Sequence, residues 1–350
     1  MTQNKLIKLI KLNCILVLAI ILFIIVFGFS YNNSNVFEKY TNYQSEYDIK
    51  PLKNVNVIEY TNTFKKNLLD KDMDFHYSNS SIIENPKNKN NYIMNVRCIN
   101  YKILDDNKYV LDGGKHITLN KLFELNHNFE IINNNLCDNN NNINDEIVGI
   151  EDVRLYNNNE DIFYSGSYFD NSGFMKISHN KYQIENNKLD LKPNIINVDF
   201  KTQFTTEKNW VYFKYNNEIC VIYQWYPLKI CKIIDNKKLV LVETKEVPKE
   251  FKDFRGSSCG VEYDNKIWFM VHYKDNINFV YHYFVCFDKN MNLIKYSKPF
   301  IFENLGIEYS MSFIIKNNKI IIPYTIKDTI LKLGIYDKDY ILNNIDYIYV

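Results

Sequence analysis

Two patterns of apolar residues divide the chain. Residues 14–29 (CILVLAIILFIIVFGF) form one unbroken apolar run of sixteen, preceded by Lys5, Lys8 and Lys11. From Tyr92 onward, apolar and polar residues instead alternate over short stretches such as NYIMNVRCINYKIL, NWVYFKYNNEICVIYQWY and KIIIPYTI. Tyr, Phe, Val and Ile dominate these stretches and Asn/Asp/Lys clusters separate them, which is the signature of strands and hairpins. After residue 30 no apolar period of 3.6 persists over three turns, so the folded part is predicted to be all-β.

The N-terminal run is short for a membrane span and long for a signal-peptide core. Lysines on one side only predict a signal anchor: residues 1–30 as cytosolic flank and transmembrane helix, crossing through residues 9–29. The remainder would then lie on the lumenal or extracellular side of a single-pass type II membrane protein, with cleavage and secretion as the alternative. Residues 31–75 read as a polar stem and 76–350 as the folded domain. Asn32 and Asn79 open N-x-S sequons, which matter only on the lumenal side.

Short motifs at Arg97, Asp152, Lys208, Gly256 and Glu308 recur with steps of 55, 56, 48 and 52 residues. Five repeats near 50 residues, each with several strands, predict a five-bladed β-propeller. The first strand of each blade would line the channel and carry these positions to one funnel. Residues 82–94 would complete the last blade, and the Asn-rich 133–145 would be a loop between the first two.

Composition refines this picture. Gly (10) and Pro (7) are scarce, so Asn-Asn and Asp-Asn pairs are expected to make the turns. A formal charge of +1 argues against a nucleic-acid partner. Seven cysteines show no zinc spacing, and no metal or organic cofactor is expected. Cys220 and Cys231 fall on a predicted hairpin where they could approach one another.

Only three of the 42 cationic residues are arginine (Arg97, Arg154 and Arg255), and each opens a repeat motif. Arginine presents a planar fork suited to carboxylate or phosphate, so these three are candidate ligands. In Glu151-Asp152-Val153-Arg154 the adjacent acids should face opposite sides of a strand, while Asp152 and Arg154 share a face. An acid oriented by an arginine at a funnel mouth suits protonation of a leaving oxygen. A structural Asp–Arg staple between blades is the competing reading.

Glu151-Asp152-Val153-Arg154 resembles the Glu-Asp-Pro-Arg signature of glycoside hydrolase family 130, inverting mannoside phosphorylases and hydrolases on five-bladed propellers. Glu207-Lys208-Asn209-Trp210 is similar to that family's Glu-Lys-Asn-Trp segment. Phe254 to Ser258, followed by Trp268 to Tyr273, resembles its small-residue loop and Tyr-His strand. Val153 departs from the family's Pro. The resemblance spans roughly residues 90–340. It implies a glycan substrate of mannoside type and Asp152 as general acid. Arg97, Arg154, Lys208, Asn209, Arg255 and His272 become phosphate or substrate ligands, with inorganic phosphate as a possible co-substrate. Trp210 would stack on a sugar, and Glu308, Glu207 or Asp253 would supply the second carboxylate if water replaced phosphate. A non-catalytic glycan-binding propeller and a glycosyltransferase using the same funnel stay open.

Overall fold

A computed structural model describes residues 49–68, 71–104, 108–136, 147–169, 173–185, 188–190, 193–202 and 204–350. Residues 51–350 form one compact unit. Among the described residues it is all-β and propeller-like, built from five antiparallel strand groups.

The first group runs Thr63–Leu68, Lys71–Glu84, Tyr92–Ile99, His116–Leu125 and Ile131–Leu136. The second comprises Ile150–Asn158, Asp161–Phe169, Met175–Lys181 and Ile195–Val198, whose last strand also pairs in parallel with Lys238–Lys245 of the next group. The third is Val211–Tyr215, Glu218–Trp225, Leu228–Ile234 and Lys238–Lys245. The fourth is Val261–Tyr263, Lys266–Lys274, Val280–Asp288 and Leu293–Ser297, edged by Tyr347–Tyr349. The fifth is Ile314–Lys316, Lys319–Ile326 and Ile330–Asp337, completed by the early strand Asn56–Glu59.

Hydrophobic cores lie between neighbouring groups, as wedge-shaped sheets around an axis require. Ile83, Ile93, Val153 and Tyr164 join the first group to the second. Ile177, Trp210, Tyr212 and Cys231 join the second to the third. Phe213 and Trp225 meet Phe269 edge-on at 5.7 and 5.6 Å, joining the third to the fourth. Trp268, Phe284, Tyr324 and Tyr336 join the fourth to the fifth. Phe75, Phe123, Leu331 and Leu333 return to the first. The aromatic share of 15% fills these interfaces, where large rigid rings bury the most area.

Asparagine makes the turns as expected. Asn216-Asn217, Asp235-Asn236 and Asp264-Asn265 all hold positive φ between paired strands, the conformation a tight hairpin needs.

Several expectations change. The first group starts at Thr63, so strands 56–59 and 63–68 fall within the segment expected as stem. Arg97 therefore sits on the third strand of the group rather than at a blade start. Residues 82–94 belong to the first group, and Asn56–Glu59 completes the last one. Cys220 lies opposite Lys232 and Cys231 opposite Val221, so the two thiols point to opposite faces and both are free. Asn79 is 4% exposed, which removes it as a glycan acceptor. The expected signal anchor at residues 9–29 lies outside the described residues, as do Cys14 and residues 137–145 of the expected loop, while its residues 133–136 belong to the strand Ile131–Leu136. Among the described residues no helix is long and apolar enough to cross a membrane, so the type II placement is withdrawn.

Candidate functional site

The site grows from a bulge at the start of the second group. Glu151 lies opposite Ser167 and Arg154 opposite Ser165, so this strand carries one residue more than its partner. Asp152 takes up the excess with φ at 51°, a left-handed conformation that a short polar side chain tolerates. Gly166 makes room for it: a Cβ there would stand 2.4 Å from Ile150 Cγ2 and 3.0 Å from the Glu151 carbonyl. The bulge breaks strand alternation, so Glu151 and Asp152 do not face opposite sides. Both reach one guanidinium. Arg97 Nη1 donates to Asp152 Oδ1 and Nη2 to Glu151 Oε1, each at 2.9 Å.

Arg97 is buried on Tyr92–Ile99, where its remaining donors meet Thr118 Oγ1 at 3.3 Å. Burial opposes its charge, but Glu151, Tyr101, Asp152 and Asp328 outweigh that and push its pKa well above the ordinary value. Asn79 Nδ2 donates to Asp152 Oδ1 at 3.2 Å and is itself held by Thr325 Oγ1 at 2.5 Å. Burial alone would raise the Asp152 pKa. Arg97, Arg154, the Asn79 hydrogen bond and Lys208 together hold it below the usual aspartate value. The resting carboxyl is thus ionised.

Arg154 turns away from this cluster. Its Nε donates to the Ser257 carbonyl at 2.8 Å and Nη1 to the Asp152 carbonyl at 3.0 Å. Nη2 faces Tyr309 Oη at 2.7 Å, Asn209 Oδ1 at 3.0 Å and the Gly256 carbonyl at 3.1 Å. It is buried and ties the second group to segments opening the third, fourth and fifth. Its fork grips the protein, unlike the phosphate-ligand role expected of it. Gly256 is required here, because a Cβ would stand 2.5 Å from the Asn209 carbonyl.

Lys208 and Arg255 differ: both are exposed, and with Asn209 they line a cleft of about 1270 Å³. Among the described residues neither has an ion-pair partner. Lys208 lies close enough to lower the pKa of both Asp152 and His116. His272 pairs in register with Arg255, is buried, and meets Ser257 Oγ through Nδ1 at 2.9 Å. Burial, His282 and the nearby cations drive its pKa well down, so it is a neutral donor or acceptor.

Three expected roles are corrected. Trp210 is 2% exposed and donates Nε1 to Glu207 Oε2 at 3.2 Å, so it offers no ring face to a sugar. Glu207 also accepts from Tyr223 Oη at 3.1 Å. Glu308, 1% exposed, accepts backbone N–H groups from Phe302, Glu303 and Asn304 at 2.7, 3.1 and 2.8 Å, which makes it a loop anchor. Of the proposed second carboxylates, Asp253 remains exposed in the cleft.

Four contributors escaped the sequence reading. Asn79 was visible only as a sequon. Tyr309 holds Arg154. His116 Nε2 stands 3.6 Å from Glu151 Oε1. Asp328, in a Lys-Asp turn of the fifth group, accepts from Tyr101 Oη at 3.0 Å, and burial raises its pKa. Among the described residues no cluster of three or more His, Cys, Asp or Glu could hold a metal ion.

No protein-family profile and no curated protein matches the sequence. Solved structures do match it. A β-1,2-mannobiose phosphorylase from Listeria innocua, solved with β-1,2-mannobiose, aligns with TM-score 0.57 at 11% identity over 83% of this chain and 99% of that one. A structure from the family 130 mannoside phosphorylases and hydrolases acting on β-1,2-mannosidic linkages aligns with TM-score 0.58 at 10% identity, covering 83% and 90%. The fold is that of glycoside hydrolase family 130. A mannose phosphorylase from Leishmania mexicana, solved with phosphate, aligns with TM-score 0.50 at 10% identity over 90% of this chain and 97% of that one. At these identities the likeness concerns architecture, and the chemistry rests on the site.

Proposed function

We propose that this chain is a carbohydrate-active enzyme of the family 130 type, a five-bladed propeller that cleaves mannosides by inverting phosphorolysis. The observation that carries this reading is the pair of exposed, unpaired cations, Lys208 and Arg255, in one cleft beside a carboxylate that other cations keep ionised. Two such cations suit a phosphate dianion. A dianion near Lys208 would offset the field that depresses Asp152 and so favour its protonated form. Phosphate oxygen then attacks the anomeric carbon as the glycosidic C–O bond breaks. Asp152 gives its proton to the departing oxygen, leaving a sugar 1-phosphate of inverted configuration and a free hydroxyl. Arg97 and Asn79 orient the acid, and Arg154 holds its backbone.

The full chain incubated with β-1,2-mannobiose, with and without inorganic phosphate, tests the reading. Phosphate-dependent mannose 1-phosphate that vanishes in Asp152→Asn is the expected result. Phosphate-independent mannose release would indicate hydrolysis, with Asp253 the next residue to replace. Sugar binding without turnover would indicate a non-catalytic glycan-binding propeller. Synthesis from a sugar-nucleotide donor alone would indicate a transferase.

A further inference from the structure

Between two strands of the first group the chain makes an excursion that no blade requires. Tyr101–Ile103 and Tyr109–Leu111 pair as a separate two-stranded hairpin, with Tyr101 opposite Leu111 and Ile103 opposite Tyr109. Residues opposite one another share a face, and alternation sends Lys102 and Val110 to the other. The inner face therefore carries Tyr101, Ile103, Tyr109 and Leu111. Tyr101 and Ile103 are buried with Ile99 and pack on Ile307, in the segment leading into the fifth group.

The base of the hairpin is firmly held. Buried Asn100 donates Nδ2 to the Asp112 and Lys115 carbonyls at 2.6 and 2.7 Å, and its Oδ1 accepts from the Ile117 N–H at 2.9 Å. Asp112 Oδ2 accepts from the Asp74 N–H at 2.7 Å. These bonds tie both ends of the hairpin to the first group.

Tyr109 sits on the inner face yet is 58% exposed, and Leu111 on the same face is 41% exposed. The Tyr109 ring lies 5.3 Å from Tyr101, whose hydroxyl binds Asp328 and whose ring lies 4.8 Å from His116. His116 in turn adjoins Glu151, the partner of Arg97. An aromatic side chain left more than half exposed thus lies near two acids, Asp328 and Glu151. A pyranose has this same duality, an apolar C–H face and a rim of hydroxyls. The Tyr109 hydroxyl also senses Asp328, Arg97 and Glu151 electrostatically, beyond the effect of its partial burial.

We infer that Tyr109 is a sugar-stacking platform that binds one pyranose ring of the glycan, in the role that the buried Trp210 cannot fill. This inference rests on the proposed mannoside-acting function and adds the residue that grips the sugar face. Asp328 and Tyr101 would meet hydroxyls at the edge of the same ring.

Binding of β-1,2-mannobiose to the full chain, measured by titration calorimetry alongside KM, kcat and melting temperature, tests it. Tyr109→Ala should weaken affinity about tenfold and raise KM in step, with kcat and melting temperature unchanged. Tyr109→Phe keeps the ring and should stay within about twofold of wild type, as should Val110→Ala on the outer face. Wild-type affinity in Tyr109→Ala would overturn the platform while leaving the proposed function intact. An equal loss in Val110→Ala would also overturn it, assigning the effect to hairpin stability. A wild-type chain that neither binds nor cleaves the disaccharide would overturn the proposed function along with it.

Discussion

Arg97 and Asp152 meet at 2.9 Å across two strand groups, although 55 residues separate them in sequence. The same guanidinium holds Glu151, so two adjacent acids converge where strand alternation would have parted them. The bulge at Asp152 makes this possible, and it also aims the Asp152 carbonyl at Arg154.

That ion pair has a consequence for acid stability. The Asp152 pKa is held below its ordinary value of 3.8, so the folded state binds its proton less readily than the unfolded chain. The stabilisation is fully present above pH 3.8 and is lost as pH falls through the lowered folded value. Asp152→Asn should be less stable than wild type at pH 6, with the gap narrowing below pH 3.8. Denaturant unfolding over this range would show it, and a gap independent of pH would contradict it.

Arg154 is expected to act on folding as much as on any chemistry. Arg154→Lys cannot reproduce a planar fork that serves three backbone carbonyls, Asn209 and Tyr309. A loss of about 3 kcal/mol in a urea titration is expected, given charge-assisted bonds to buried acceptors. An unchanged unfolding midpoint would mean that these carbonyls find other donors.

Glu308 separates an anchor from a catalytic base. Glu308→Gln keeps one of the two acceptor oxygens and sets an amide NH2 against the Phe302 or the Asn304 N–H, so it should lose some stability, but turnover should remain within about threefold of wild type. Glu308→Ala leaves three donors without their acceptor and should cost about 3 kcal/mol of stability. A general base would instead show a loss of about 100-fold or more in the glutamine variant.

His282 is buried, and neither ring nitrogen has a hydrogen-bond partner among the described residues. Burial lowers its pKa from 6.5 to about 3, so the unfolded chain takes up the proton first. Its contribution is present above pH 6.5 and declines as pH falls towards about 3. His282→Phe, in a pocket already lined by Phe300 and Phe302, should remove about 2 kcal/mol of the stability lost between pH 8 and pH 5. Thermal melts at the two pH values decide the matter. His179, lowered to about 4, and His272 should keep part of the slope in the variant.

Much of this protein was legible before any contact was known. Alternating Tyr, Phe, Val and Ile settled the all-β class, because period two can bury one face only of a strand. The spacing of motifs announced a repeat, and Asn-Asn and Asp-Asn pairs marked hairpins that hold positive φ. Arg97, Asp152, Lys208, Asn209 and Arg255 were all visible as chemistry-bearing residues because their types are scarce or their motifs distinctive.

Sequence could not decide which of those groups are free to act. Arg154, Glu308 and Trp210 carry the right chemistry, yet their polar atoms serve the fold: backbone carbonyls, backbone N–H groups and Glu207. Lys208 and Arg255 look no different in sequence and remain exposed. Asn79 and Asp328 lie outside the repeat motifs and reach Asp152 and Tyr101 only through chain reversals. Residue type and periodicity are local properties, and they determined the strands, the turns and the supply of functional groups. Whether Arg97 and Arg154 stay available depends on partners as far as 55 and 155 residues away, a condition set only when the strand groups close on one another.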